Sequence, residues 1–118
     1  MSDIPPSFRR SVPDDFGVDV TVDGSDVVVA VRGELDVLTA PFLWERMEPA
    51  LAGLTGKLVF DFSELSFIDS MGLGVIVRAQ SRLRGQQPER QVVIRHPNAH
   101  ARKVFGITGL DRVLDVQP

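Results

Sequence analysis

The sequence has no cysteine, which excludes a disulfide framework, a thiolate metal site and a cysteine nucleophile. Long hydrophobic runs are also missing. The most apolar stretches, Val27 to Val31 and Gly72 to Val77, fall far short of the ~20 residues that cross a bilayer. The N-terminus carries Asp3, Pro5, Pro6, Arg9 and Arg10 but no apolar segment of ~7 to 15 residues such as a secretory signal needs. Neither a membrane span nor export is expected. Lysine occurs only at Lys57 and Lys103, so there is no phosphate-loop lysine beside the Gly72-Leu73-Gly74 run, and no GxGxxG accompanies it. Gly-x-Ser-x-Gly is absent too, because Ile68 and Gly72 flank Ser70. A hydrolase built on that serine is therefore not supported.

What remains is a chain of 118 residues with 43% apolar content, enough for one compact domain and no room for a second. Formal charge is −3, unevenly placed. Residues 1 to 69 hold thirteen acids against five bases, whereas residues 70 to 112 hold eight bases against two acids. Such asymmetry can orient a charged protein partner. The arginines lack interleaved aromatics and the overall balance is acidic, which argues against nucleic acid.

Residues 1 to 15 contain three prolines and no apolar period, which predicts a mobile tail ahead of a domain spanning 16 to 118. Val18, Val20 and Val22 alternate with polar residues, and Gly24-Ser25 separates them from Val27 to Val31; this pattern predicts a two-stranded hairpin. Further strands are expected at Leu58 to Phe62, at Val92 to Arg95 and at Val113 to Val116. Leu43, Met47, Ala50, Leu51 and Leu54 recur at helical spacing, with Thr39 placed as a cap, Pro41 in the first turn and a kink or early break expected at Pro49. A second helix is expected from about Ser70 to Leu83 and a third from Asn98 to Ile107, before Gly109. The order β-β-α-β-α-β-α-β implies an α/β fold, a mixed and mostly parallel sheet of about five strands packed with helices.

The segment around Ser70 is the most informative. Leu65, Phe67 and Ile68 lead to Asp69-Ser70, where the apolar period changes from about two to 3.6 and a helix begins. Gly72, Val75, Ile76, Ala79 and Leu83 then fall on one side, facing the sheet. Ser70, Gly74, Val77 and Ser81 fall on the other. A hydroxyl, a glycine and a valine on an exposed stripe are unlike the Lys/Glu surface of an idle helix. A phosphoryl group on Ser70 is expected to be tolerated by free N–H groups and the helix dipole, while breaking an apolar contact made by the same stripe.

Other constellations are weaker. His96 and His100 stand four apart, but Pro97 biases His96 away from helical geometry and no third ligand accompanies them; surface or capping histidines are expected, and no metal. Asp36, Asp61 and Asp69 lie near strand ends, as a phosphate-receiver domain requires, yet no lysine follows a late strand. Capping acids fit Asp36 and Asp61 better. Trp44 is expected to be a partly buried packing residue.

Three segments resemble the STAS-domain anti-sigma-factor antagonists of bacteria: Gly33-Glu34-Leu35-Asp36, then Leu65 through Gly74, then Gly109-Leu110-Asp111. The likeness covers about residues 17 to 116. It implies a binding protein with no cofactor and no catalytic residue, located in the cytoplasm, monomeric or dimeric. By resemblance Ser70 is the serine phosphorylated by a partner anti-sigma factor, a serine kinase of the histidine-kinase-like ATPase type, and dephosphorylated by a metal-dependent serine phosphatase. The unphosphorylated form binds the kinase and frees a sigma factor. Asp36, Asp69, Ser70, Met71, Gly72, Leu73, Gly74 and Val77 are the implied partner-binding residues, and Met71 stands where the family usually has a second Ser or Thr. STAS domains also serve as permanent scaffolds and as transporter accessory subunits. The complete Gly-Glu-Leu-Asp segment favours the antagonist.

Overall fold

A computed structural model describes residues 12–118; most of the expected tail lies outside the described residues. Five strands form one sheet in the order β1-β2-β3-β4-β5. The hairpin of β1 (Gly17–Asp23) and β2 (Asp26–Leu35) is antiparallel, and β3 (Leu58–Ile68), β4 (Val92–Arg95) and β5 (Asp115–Val116) add in parallel. Three helices make the crossovers: α1 (Ala40–Leu51), α2 (Ser70–Gln86) and α3 (Ala99–Thr108), with a 3-10 turn at Leu110–Arg112. Each crossover joins neighbouring parallel strands in the same direction, so right-handed connections bring all three helices to one face. The expected mixed, mostly parallel architecture is the observed one.

The core lies between that face and the helices. Val29, Val31, Leu58, Phe60, Phe62, Ile76, Leu83, Ile94 and Phe105 are essentially inaccessible, and each such side chain contributes about 1.5 to 3 kcal/mol relative to exposure. Phe62 bridges layers, stacking on Phe105 of α3 with ring centroids 6.5 Å apart.

Two central strands are longer than expected. β2 continues to Leu35 and β3 to Ile68, and both extensions pass through register shifts, between Ala30 and Arg32 and between Gly33 and Glu34. At each shift β3 carries one extra residue against β2. The spacing of buried side chains therefore becomes three, at Phe62, Leu65 and Ile68, which masks the two-residue period read from sequence. Gly33 takes a φ of +86° at the second shift, a conformation glycine adopts without strain. The extensions carry two strand-to-helix turns to the same end of the sheet.

Pro49 lies inside α1, which ends two residues later at Leu51, so Leu54 falls in the following turn rather than in the helix. α2 extends one turn past Leu83, and its last backbone contact is from Gln87 N–H to the Leu83 carbonyl at 2.9 Å. Among the described residues no helix is long and apolar enough to cross a membrane.

Candidate partner-binding site

The two turns at the end of β2 and β3 are in direct contact, because the Asp69 backbone N–H donates to the Leu35 carbonyl at 3.1 Å. Asp69 has extended backbone geometry, and its Oδ1 accepts from the N–H groups of Met71 at 2.8 Å and Gly72 at 3.2 Å. It caps α2 as a negative charge at the positive end of the helix dipole. Ser70 is the first helical residue and is exposed. Its hydroxyl takes no part in the hydrogen bonds of this turn.

This arrangement corrects one expectation. The amides available to a phosphate on Ser70 are fewer than the sequence suggested, since Asp69 already holds those of Met71 and Gly72, and the Leu73 N–H is bonded to the Asp69 carbonyl at 3.0 Å. A phosphoryl group there meets the helix dipole but stands beside a carboxylate whose site it cannot share.

Thr39 also differs from expectation. Its side chain does not cap α1. The carboxylate of Asp36 closes the turn ahead of the helix instead, accepting from Leu38 N–H at 3.0 Å and Thr39 N–H at 3.2 Å. The Thr39 hydroxyl is turned inward, donating to the Glu34 carbonyl at 2.7 Å and accepting from Asp36 N–H at 2.9 Å.

Of the site residues expected from sequence, Ser70, Met71, Gly74 and Val77 are exposed on α2, and Asp36 and Asp69 stand half-buried at its N-terminal end. Gly72 and Leu73 are buried, so their side positions serve packing and offer no direct surface. A Cβ on Gly72 would lie 2.7 Å from Leu35 Cγ and 2.8 Å from Ile68 Cγ1. The glycine is what lets α2 approach both strands. A Cβ on Gly74 would meet nothing within 4 Å. Glycine inside a helix costs about 0.8 to 1 kcal/mol relative to alanine, and at Gly74 no packing within the chain accounts for it.

Sequence reasoning named Met71 and Val77 but missed the rest of an apolar surround. Val37 is 59% exposed and Met71 48%, and Leu38, Phe42, Phe67 and Val77 are also exposed. Val37, Leu38, Phe42, Phe67 and Met71 lie in or next to the two turns, and Val77 is two turns further along α2. Scattered exposed apolar residues are ordinary; a group of this kind near one hydroxyl makes this end of the sheet the candidate interaction surface. The apolar pair Val37-Leu38, placed directly after an aspartate in a loop, was the readable signal. His100 belongs to this surround: its ring stacks on Phe67 with centroids 4.9 Å apart, and Nε2 lies 3.1 Å from the Ile68 carbonyl. His96 is exposed with φ +57°. Among the described residues no group of three potential ligands could hold a metal ion.

Between α1 and α2 lies an open cleft of about 520 Å³, lined by Ser70, Met71 and Gly74 from one helix and by Pro41 and Trp44 from the other. The Arg78 guanidinium covers the Trp44 ring, with Cζ 4.0 Å from the ring centroid. Trp44 is thus half-buried as expected, but as a cleft wall.

A family profile described as "Mlab, STAS domain" matches residues 18–116. The chain is 32% identical over 101 residues to the anti-sigma-B factor antagonist of Bacillus subtilis, an alignment covering 86% of this chain and 90% of that one. The chain belongs to the STAS-domain family of anti-sigma-factor antagonists. A crystal structure of an anti-sigma factor antagonist from Mycobacterium paratuberculosis superposes with a TM-score of 0.77 at 31% identity, covering 92% of this chain and 90% of that one. The phosphorylated form of the Bacillus cell fate determinant SpoIIAA is similar at a TM-score of 0.63 and 25% identity, covering 87% and 91%. Anti-sigma-factor antagonists are non-enzymatic regulators, and this STAS chain is of that kind.

Proposed function

We propose that the unphosphorylated chain binds an anti-sigma factor that is itself a serine kinase, releases a sigma factor in the cytoplasm, and is switched off when that kinase phosphorylates Ser70. A metal-dependent serine phosphatase resets it. The observation that carries this reading is the exposed Ser70 hydroxyl, which the turn's own hydrogen bonds leave unused, at a helix N-terminus beside apolar Met71, Phe67 and Leu38. The phosphorylated relative supports it as well.

The switch is electrostatic and steric. A phosphate adds about −1.5 to −2 charges at neutral pH. Here it stands next to the Asp69 carboxylate, whose amide partners are already taken, and at the centre of an apolar contact. The fold of the free domain is little affected because the group points to solvent. The complex must desolvate it next to a like charge. If the penalty is about 3 kcal/mol, affinity falls roughly a hundredfold.

The test is incubation with ATP and the candidate anti-sigma kinases of the same cell, followed by site mapping and co-elution. One phosphate on Ser70 with loss of co-elution is expected, and Ser70→Asp should fold normally yet bind at least tenfold more weakly. Stable co-elution with an active kinase and no phosphate on Ser70 would replace the switch by a permanent STAS scaffold.

A further inference from the structure

The cleft between α1 and α2 is within the size range of binding pockets, and three of its lining residues bear on what it receives. Gly74, on its α2 wall, is the costliest helix-interior residue after proline and has no neighbour for a Cβ to strike. Trp44, the single tryptophan of the sequence, packs against the core and also lines the cleft. Arg78 makes no ion pair among the described residues, although Arg82, four residues on, pairs with Glu48 at 3.0 Å; it rests instead on the indole. Glu45 stands on the α1 rim without engaging it.

On the reading given above, we infer that this cleft receives an apolar side chain of the anti-sigma kinase, flanked by a carboxylate that meets Arg78, and that Trp44, Gly74 and Arg78 thereby set which kinase is bound. Two arguments identify the occupant. Ser70, Met71 and Gly74 line the cleft and also form the docking stripe, so a partner seated over Ser70 is already at its mouth. Arg78, which has no ion-pair partner among the described residues although Glu45 shares the rim, offers its charge to an acidic neighbour of the buried anchor. Anchors of this sort, an apolar group in a pocket beside an arginine, dominate interface energetics.

The test uses the full chain and a panel of purified anti-sigma serine kinases encoded in the same genome, with Trp44 emission and titration calorimetry as readouts. Wild-type binding should change Trp44 emission. Gly74→Leu fills the cleft where nothing obstructs it; it should keep the thermal midpoint of the wild type and lose at least tenfold in affinity. Arg78→Gln should lose severalfold and flatten the salt dependence. A kinase that Ser70→Asp loses but Gly74→Leu binds like wild type overturns the cleft and leaves the switch standing. If no kinase of the panel binds the wild type, both fall. A Trp44 change that tracks the concentration of this chain alone makes a second copy the occupant and overturns the inference.

Discussion

The β2–α1 and β3–α2 turns are built alike and differ in one hydroxyl. Each strand is followed by an aspartate whose carboxylate accepts two backbone N–H groups, those of Leu38 and Thr39 just ahead of α1 for Asp36 and those of Met71 and Gly72 inside α2 for Asp69, and each is followed closely by Thr39 or Ser70. Thr39 is 1% exposed and spends its hydroxyl on the Glu34 carbonyl and the Asp36 amide. Ser70 is exposed, and its turn closes without it. The same chemistry beside a like aspartate is structural in one turn and available in the other. Burial and hydrogen-bond accounting separate the two where residue type does not.

Breaking the close approach of α2 should have the largest effect on stability. Gly72→Ala places a methyl within 3 Å of two inaccessible side chains, Leu35 and Ile68, and overpacking of this kind costs about 1 to 3 kcal/mol. Urea unfolding should show a lower midpoint at unchanged slope. Gly74→Ala, two residues away, is expected to gain up to about 1 kcal/mol by helix propensity. A loss at position 74 equal to that at 72 would mean the outer face is packed after all.

Thr39→Val comes next. It keeps the shape but leaves the Glu34 carbonyl and the Asp36 amide without their partner in a buried place, at about 1 to 3 kcal/mol. Thr39→Ser should recover most of the loss, since the hydroxyl matters more than the methyl. The two turn aspartates follow, with Asp69→Ala expected to cost about 1 kcal/mol as a lost helix cap and Asp36→Ala about 1 kcal/mol as lost hydrogen bonds to the Leu38 and Thr39 amides. Thermal unfolding of both variants checks whether the turns are as equivalent as their geometry implies. A markedly larger loss at Asp69 would show that a carboxylate on amides inside the helix, Met71 and Gly72, counts for more than one on the amides ahead of it.

Much of this was legible beforehand, for reasons visible in particular residues. The period change at Asp69-Ser70 is local, and it located the start of α2; Val92 to Arg95, bounded by Pro97, matched β4 to the residue. The strand ends were not legible, because one extra residue at each of two register shifts converts the buried period of β3 from two to three. Thr39 looked like a cap since threonine favours that position, but its hydroxyl is drawn inward to the Glu34 carbonyl and the Asp36 amide, and Asp36 holds the amides of the turn before the helix. The pairing of Trp44 with Arg78 joins two helices that are 34 positions apart in the chain. No local pattern carries a contact of that range, so neither the cleft nor the guanidinium stacked at its rim was readable.

The smallest expected change is the most discriminating one. Ser70→Ala removes a hydroxyl that bonds to nothing in its turn, on an exposed first helical position where alanine is well tolerated, so unfolding free energy should shift by less than about 0.5 kcal/mol. The Thr39 variant has the same atoms removed from view of the solvent and should lose several times more. Binding should invert that order: Ser70→Ala cannot accept a phosphate and should hold its kinase with ATP present, when the wild type lets go. If Ser70→Ala instead destabilises the domain as much as Thr39→Val does, the two turns are equivalent, the hydroxyl is a cap, and the exposed apolar residues around it have to be explained without a switch.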